Sequence, residues 1–141
     1  FDQAYVRDVT CRDCRIDARM VGFHTEMALT LRGNPAAPKD RYDLAITSAG
    51  RLRIRRWRSG SVTVLGDLPS GIPDLSKFTP FSFTVTGTAP VILTAAVNGV
   101  TKLTVTDGSS LALTAPGIAG MTNTMSGSWV DDFKLTALGP P

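Results

Sequence analysis

The feature that most restricts the fold of this chain is a series of short segments in which apolar and polar residues alternate. Alternation with a period of two is typical of a strand that has one buried and one exposed face. No segment shows the 3.6-residue period of an amphipathic helix. The alternating segments are 14–20, 26–32, 42–46, 52–54, 62–65, 81–86, 91–97, 103–105 and 129–135.

Turn-forming residues separate these segments. Asn98-Gly99 is the strongest hairpin signal, because both residues tolerate the positive φ of a type I′ turn. Ala49-Gly50 and Ser59-Gly60 close two further hairpins, while the proline-containing stretch 66–80 predicts an irregular connection. About eight or nine strands at this spacing predict an all-β fold, an antiparallel two-sheet β-sandwich. Its 141 residues suit a single domain, 1–138, with a tail at 139–141.

The charge distribution is uneven although the net charge is only +3, since the basic residues are concentrated before residue 59. No apolar stretch is long enough to span a membrane, so no membrane partner is expected. The chain begins at Phe1 without an initiator Met, which indicates a processed form or part of a larger multidomain protein.

The most distinctive segment is 51–58, where three arginines and a tryptophan share the outward face of a predicted strand. Arg41 and Asp43 have the matching parity on the preceding hairpin strand. Indole can stack on a sugar ring, and guanidinium can bind hydroxyls, uronate or sulfate. Basic residues on an edge strand also prevent aggregation, and both interpretations stay open. The candidate ligand-binding residues are Arg51, Arg53, Arg55, Trp57, Arg41 and Asp43.

Other functional classes have less support. Retaining glycoside hydrolysis uses two carboxyl groups about 5 to 5.5 Å apart. Glu26 has no acidic neighbour two or four residues away, and the adjacent Asp131 and Asp132 would point to opposite faces of a strand. His24 is the only histidine and no serine lies in a nucleophile elbow, so no catalytic residue is assigned. Nucleic acid is not expected as a partner, because no recognisable nucleic-acid-binding module is present.

The order of several short motifs carries a resemblance. They are Tyr-x-Leu-x-Ile, Gly-x-Leu-x-Ile, Phe-x-Phe-x-Val-x-Gly, Val-Asn-Gly-Val, Val-Thr-Asp-Gly, Gly-Ile-Ala-Gly and Val-Asp-Asp-Phe-Lys-Leu, at 42–46, 50–54, 81–87, 97–100, 105–108, 117–120 and 130–135. This order resembles the concanavalin A-like, laminin G-like jelly-roll superfamily. It is most similar to the noncatalytic carbohydrate-binding modules of bacterial polysaccharide-degrading enzymes.

The resemblance implies a module, secreted or at a bacterial cell surface, that binds a polysaccharide or oligosaccharide. The outward arginines of 51–58 predict that this glycan is acidic or partly acidic. A structural or protein-interaction domain of the same fold is the alternative, and a polysaccharide lyase or hydrolase is a further one. The resemblance also implies a structural calcium ion as the only cofactor. Its candidate ligands are Asp131, Asp132 and Asp2, or Asp8 of the same N-terminal segment, and loop-amide hydrogen bonds could equally explain the first two.

Cys11 and Cys14 form a Cys-x-x-Cys motif. A zinc site would need two further ligands, and a redox motif would need a helix start in an α/β context. The remaining interpretations are a short-loop disulfide and two buried thiols. Secretion, which the resemblance implies, favours the disulfide.

Overall fold

The computed structural model describes residues 2–6, 9–21, 26–34, 36, 40–72, 74, 76–123 and 129–139, with backbone alone at 2–4, 123 and 129. These residues form eleven strands. In chain order they are β1 (Asp2–Tyr5), β2 (Cys14–Val21), β3 (Met27–Gly33), β4 (Arg41–Ile46), β5 (Arg51–Arg58), β6 (Ser61–Pro69), β7 (Thr79–Thr86), β8 (Val91–Val97), β9 (Val100–Asp107), β10 (Ile118–Asn123) and β11 (Trp129–Ala137).

The strands build two antiparallel sheets that pack face to face, which confirms the predicted β-sandwich. One sheet has six strands in the order β1-β10-β3-β4-β5-β6, and the other has five in the order β11-β2-β7-β8-β9. Every pairing between neighbouring strands is antiparallel. Strands β6 and β9 therefore form one side of the sandwich, and β1 and β11 form the other.

The core lies between the sheets and consists of the apolar residues that the alternation placed inward. Ile16 and Met20 of β2 meet Phe81 and Phe83 of β7, while Leu29 of β3 and its neighbours close the core from the opposite sheet. Burying one such side chain contributes roughly 1.5–3 kcal/mol. The inward faces predicted from the sequence are confirmed: Ile16, Ala18, Met20, Met27, Leu29, Leu31, Tyr42, Leu44, Ile46, Leu52, Ile54, Phe81, Phe83 and Val85 are all buried.

The predicted hairpin turn at Asn98-Gly99 is confirmed by its backbone. Asn98 has a φ of 52° and Gly99 a φ of 77°, the positive pair that a type I′ turn requires. Ser59 and Gly60 adopt the same pair of signs between β5 and β6. These two turns fix the register of their hairpins.

The structure corrects the predicted strands at three places. Strand β6 runs on to Pro69, so the connection predicted to start at residue 66 starts later. A bulge opposite Ile54 and Arg55 accommodates Leu65 as the extra residue, and an edge strand tolerates the terminal proline. Strands β1 and β10 were not predicted, because neither has a clear alternation of apolar and polar residues.

The boundary between the domain and its tail at 138–139 stays a prediction, although the last strand ends at Ala137. Among the described residues, no helix is long and apolar enough to cross a membrane.

Candidate functional site

The six residues predicted to bind a ligand lie together on the outer face of the six-stranded sheet, turned away from the core. Asp43 pairs directly with Arg55, and Arg41 with Trp57, across β4 and β5. Directly paired residues of antiparallel strands place their side chains on the same face. The structure therefore brings these residues to one surface, but it gives them two different roles.

Five residues form a compact network, which we term the Asp43 cluster: Glu26, Arg41, Asp43, Arg55 and Trp57. Arg55 donates two hydrogen bonds to the Asp43 carboxylate, at 2.7 and 2.9 Å, and one to Glu26 at 2.8 Å. The indole N–H of Trp57 donates to Asp43 at 2.9 Å. The Arg41 guanidinium lies 4.5 Å from the centre of the Trp57 ring.

Burial sets the electrostatics of this cluster. It raises the pKa of Asp43, against the hydrogen bonds and charges of Arg55 and Arg41. Burial alone would lower the pKa of Arg55, but the hydrogen bonds and charges of Asp43 and Glu26 outweigh it and raise that pKa. The guanidinium of Arg55 thus has its donors directed at protein carboxylates, and the Asp43 carboxylate has no exposed surface. These two residues fix Trp57 in place and are not available to a ligand.

Much of the outer face beyond this cluster is also closed to solvent. Ala28 and Thr30 of β3 and Ala45 of β4 point away from the core, yet each has no exposed surface. The accessible part of the face is therefore at β5 and the edge strand β6.

We term this accessible part the β5–β6 platform, formed by Arg51, Arg53, Trp57, Val62, Val64 and Asp67. Arg51 and Arg53 each donate from Nε to one oxygen of Asp67, at 2.6 and 2.8 Å. Their side chains remain 38% and 39% exposed, and their terminal nitrogens make no hydrogen bond within the part of the chain that the structure describes.

The other half of the platform is apolar. Val62 pairs with Trp57, and Val64 with Arg55, so both valines share the outer face. They are 48% and 52% exposed. A ligand with polar groups on its rim and an apolar C–H face could contact both halves at once. The hydrogen-bonding half would fix its orientation and the apolar half would be desolvated.

The sequence prediction missed three platform residues, Val62, Val64 and Asp67. The alternating pattern of 62–65 was visible, but its outward residues are apolar and resemble core positions. Asp67 lay in the stretch predicted to be irregular, and only the bulge at Leu65 brings it opposite Arg53.

Arg56 was also missed, and it lies on the inward face of β5. It donates to Asp107 at 2.8 Å, and the hydroxyl of Tyr42 donates to the same carboxylate at 2.7 Å. That hydroxyl in turn accepts the backbone N–H of Leu113 at 3.0 Å. These contacts hold the loop after β9 against the end of the core.

The acids proposed to hold calcium have a different arrangement from the one predicted. A bulge follows Asp131, and Asp132 adopts a φ of 53°, so the two side chains do not point to opposite faces. Both approach Arg19, at 3.1 and 3.0 Å. Strand β1, which contains Asp2, pairs with β10 in the six-stranded sheet, whereas Asp131 and Asp132 belong to β11 of the five-stranded sheet.

No group of three potential metal-ligating side chains occurs among the residues with described side chains. The side chain of Asp2 falls outside that set. Asp8, a candidate calcium ligand, and His24, the only histidine of the sequence, lie outside the described residues. A calcium site at these acids stays a prediction.

Cys11 and Cys14 are joined by a disulfide, with their Cα atoms 6.1 Å apart. The loop that the disulfide closes is held by Arg32, whose side chain has no exposed surface. Arg32 donates to the carbonyl oxygens of Arg12, Leu113 and Gly87, at 2.8, 2.9 and 2.7 Å. It also contacts the carboxylate of Asp13 at 3.2 Å.

Comparison with solved structures identifies the fold. The carbohydrate-binding module CBM66 from Bacillus subtilis superposes with a TM-score of 0.79 at 11% identity, over 96% of this chain and 82% of that one. A galectin from Caenorhabditis elegans gives 0.65 at 12% identity, over 96% and 89%. A homodimeric agglutinin from chicken liver gives 0.63 at 8% identity, over 96% and 100%. The chain therefore has the concanavalin A-like jelly-roll fold that its motif order predicted.

No protein-family model and no curated protein sequence matches the chain. At identities of 8–12% the structural similarity defines the fold alone.

Proposed function

We propose that the protein is a noncatalytic carbohydrate-binding module that binds glycans through the β5–β6 platform. One observation carries the proposal: β5 and β6 together expose hydrogen-bonding side chains, Arg51 and Arg53, beside apolar ones, Val62 and Val64. Sugars present hydroxyls at their rim and C–H groups on their faces, so they match both halves. The fold shared with a carbohydrate-binding module and with galectins supports the same ligand class.

The charges of the platform favour a glycan that is acidic or partly acidic. Arg51 and Arg53 share the single carboxylate of Asp67, which leaves one positive charge in excess. Hydrogen bonds from these arginines lower the pKa of Asp67, so it is ionised at neutral pH. The excess positive charge would attract an anionic sugar, and the carboxylate of that sugar would accept hydrogen bonds from the terminal nitrogens of Arg51 and Arg53.

Affinity electrophoresis and calorimetry with neutral glucan and xylan, and with acidic polygalacturonate, test this proposal. Replacing Arg51 and Arg53 together by Met should weaken binding at least about tenfold, since each loses a hydrogen bond from a charged donor. Replacing Val62 and Val64 by Thr keeps the shape and strand preference but makes the strip polar, and should also weaken binding.

Arg15→Met is the matched control, because Arg15 is an exposed arginine of the opposite sheet with one carboxylate partner at 2.8 Å. It should bind as the parent protein does. Equal glycan binding by the parent protein and the platform variants would contradict the assignment of the site to the β5–β6 platform. Binding to no glycan of a broad array would instead favour the protein-interaction alternative, and release of unsaturated sugars would reveal a lyase.

We propose further that the module works in a secreted or cell-surface bacterial protein, as part of a longer chain that it holds near polysaccharide. The Cys11–Cys14 disulfide supports an oxidising compartment. Sequencing of the full gene tests both parts, through an export signal and an adjoining catalytic or adhesive domain.

A structural calcium ion at Asp131 and Asp132 would have to displace Arg19 from both carboxylates. This form of the calcium hypothesis predicts that added calcium raises the melting temperature, and does so more in Arg19→Met than in the parent protein. Differential scanning calorimetry with calcium and with a chelator tests it, and identical melting under both conditions would rule it out.

A further inference from the structure

A second surface feature lies at the end of the sandwich, where the end of β3, the start of β4, the end of β5 and the loop after β9 meet. They enclose an open cavity of about 550 Å³, within the usual range of small-ligand sites. Its polar lining comes from Arg32, Asn34, Asp40, Arg58, Ser110 and Thr114. Ala115 and Pro116 add an apolar wall. The platform residues do not line this cavity.

Arg58 is the unusual member of the lining. Every other arginine in the described part of the chain lies within 4.0 Å of a carboxylate, whereas Arg58 has no such partner. One of its terminal nitrogens makes two long hydrogen bonds, at 3.3 Å, to the carbonyl oxygens of Leu111 and Ala112. The remaining N–H groups are available at the cavity.

The cavity is also preformed, because its floor is held by buried contacts. Arg32 fixes the carbonyl oxygen of Leu113, and the hydroxyl of Tyr42 fixes the N–H of the same residue. Asp40 is positioned by accepting the backbone N–H of Ser59 at 2.8 Å with one carboxylate oxygen. A site that needs little ordering loses less free energy when a ligand binds.

We propose that this cavity is a second glycan site that binds one neutral sugar unit. Arg58 donates to sugar hydroxyls, and the second oxygen of Asp40 accepts from another hydroxyl. The C–H face of the sugar lies on Ala115 and Pro116. Arg32 also lines the cavity, but its charge is paired with Asp13 at 3.2 Å. Because Asp40 and Arg58 balance each other in charge, the cavity favours an uncharged sugar, in contrast to the platform. The inference shares the ligand class of the proposed function but not its site, so each can fail without the other.

Nuclear magnetic resonance of ¹⁵N-labelled protein separates the two sites. Titration with glucose or galactose should shift the amides of Ser110 to Thr114 and the side-chain Nε–H of Arg58. The amides of Val62 to Asp67 report on the platform in the same spectra. Glucuronate and inorganic sulfate serve as anionic probes and should shift the cavity amides less than the neutral sugars do.

Two variants test the assigned contacts. Arg58→Met keeps the aliphatic stem and should weaken sugar binding at the cavity about tenfold. Asp40→Asn retains an acceptor for Ser59 and should also weaken it, which covers the case in which Arg58→Met does not fold. Arg15→Met should leave the titration unchanged.

Absence of cavity shifts with both neutral sugars would overturn the proposal, as would shifts that persist unchanged in the Arg58 and Asp40 variants. Stronger binding of glucuronate or sulfate than of glucose would overturn the assignment to a neutral sugar.

Discussion

At the residue scale, the arginines of 51–58 look equivalent in the sequence but differ in the structure. Alternation predicted correctly that Arg51, Arg53, Arg55 and Trp57 share one face. It could not predict that Arg55 is buried, because burial depends on Asp43 lying directly opposite and on Glu26 approaching from before β3. The sequence did contain one signal of this burial. Asp43 lies in the middle of the otherwise apolar segment 42–46, and a buried carboxylate requires a partner.

The first prediction concerns the buried pair of Arg55 and Asp43. Arg55→Met should lower the free energy of unfolding by about 3–5 kcal/mol, because the Asp43 carboxylate would stay buried without its main partner. Urea denaturation measures this loss. Arg15→Met breaks an exposed pair and should cost at most about 1 kcal/mol. Equal losses in the two variants would contradict the structural role given to Arg55.

The second prediction concerns pH and Asp107. Burial alone would raise the pKa of Asp107, but hydrogen bonds from Arg56 and Tyr42 outweigh it and lower that pKa. The unfolded chain, whose Asp pKa is about 3.9, then binds a proton more readily than the folded one. The stability that Asp107 contributes is therefore fully present above this pKa and lost as pH falls through the lower, folded one.

Asp107→Asn isolates this contribution from that of other acids. The difference in unfolding free energy between the parent protein and the variant should be largest near pH 7 and should shrink as pH falls below about 4. Urea denaturation across that range measures it. A difference that is independent of pH would show that the ionised carboxylate has no special role.

At the scale of the elements, strands with clear alternation were located and those without it were missed. The bounds were less exact, since β6 runs four residues past the alternating segment 62–65 and β9 starts three residues before 103–105. Strand β10 contains Gly120 and mixes small and polar residues, so its pairing with β1 and β3 is a tertiary effect. Bulges were equally invisible, and they decide where Asp67 and Asp132 point. The sequence therefore predicted which sheet face carries the candidate site and which β5 residues belong to it. It did not predict the β6 residues Val62, Val64 and Asp67.

The third prediction concerns the turn between β8 and β9. Gly99→Ala should destabilise the protein by about 1–2 kcal/mol, because an L-residue is disfavoured at a φ of 77°. No atom lies within 4 Å of the added Cβ, so the cost is conformational and not steric. Gly108→Ala is the control: its Cβ would meet only Pro90, at 3.9 Å, and its φ lies outside the left-handed region. Thermal denaturation compares the two, and similar losses would contradict the turn assignment.

At the scale of the whole molecule, the order of the strands carried more information than any single strand. The motif order predicted the jelly roll over nearly the whole chain, because inward alternation and turns recur along its full length. Function did not follow in the same way, since ligand contacts in this fold depend on outward side chains that the core does not restrict. Contacts between distant loops, such as those of Arg32, had no local signal either.

Arg32 connects the two sheets at one end of the sandwich, and this gives the last prediction. It lies at the end of β3 in one sheet, and it binds the carbonyl oxygen of Gly87 after β7 in the other. It also binds the loop closed by the Cys11–Cys14 disulfide. Arg32→Met should lower the free energy of unfolding by about 3–5 kcal/mol, because three carbonyl oxygens lose their Arg32 donor and Asp13 loses its guanidinium partner.

Reduction of the disulfide should cost the parent protein about 2 kcal/mol, which the chain-entropy estimate gives for so short a loop. Because Arg32 and the disulfide order the same loop, their effects should not add: reduction should cost less in Arg32→Met than in the parent protein. Urea denaturation of both proteins, with and without a phosphine reductant, measures this coupling. Cys11→Ser with Cys14→Ser controls for effects of the reductant. If reduction destabilises both proteins equally, Arg32 and the disulfide act independently, and the loop is not the link between the sheets.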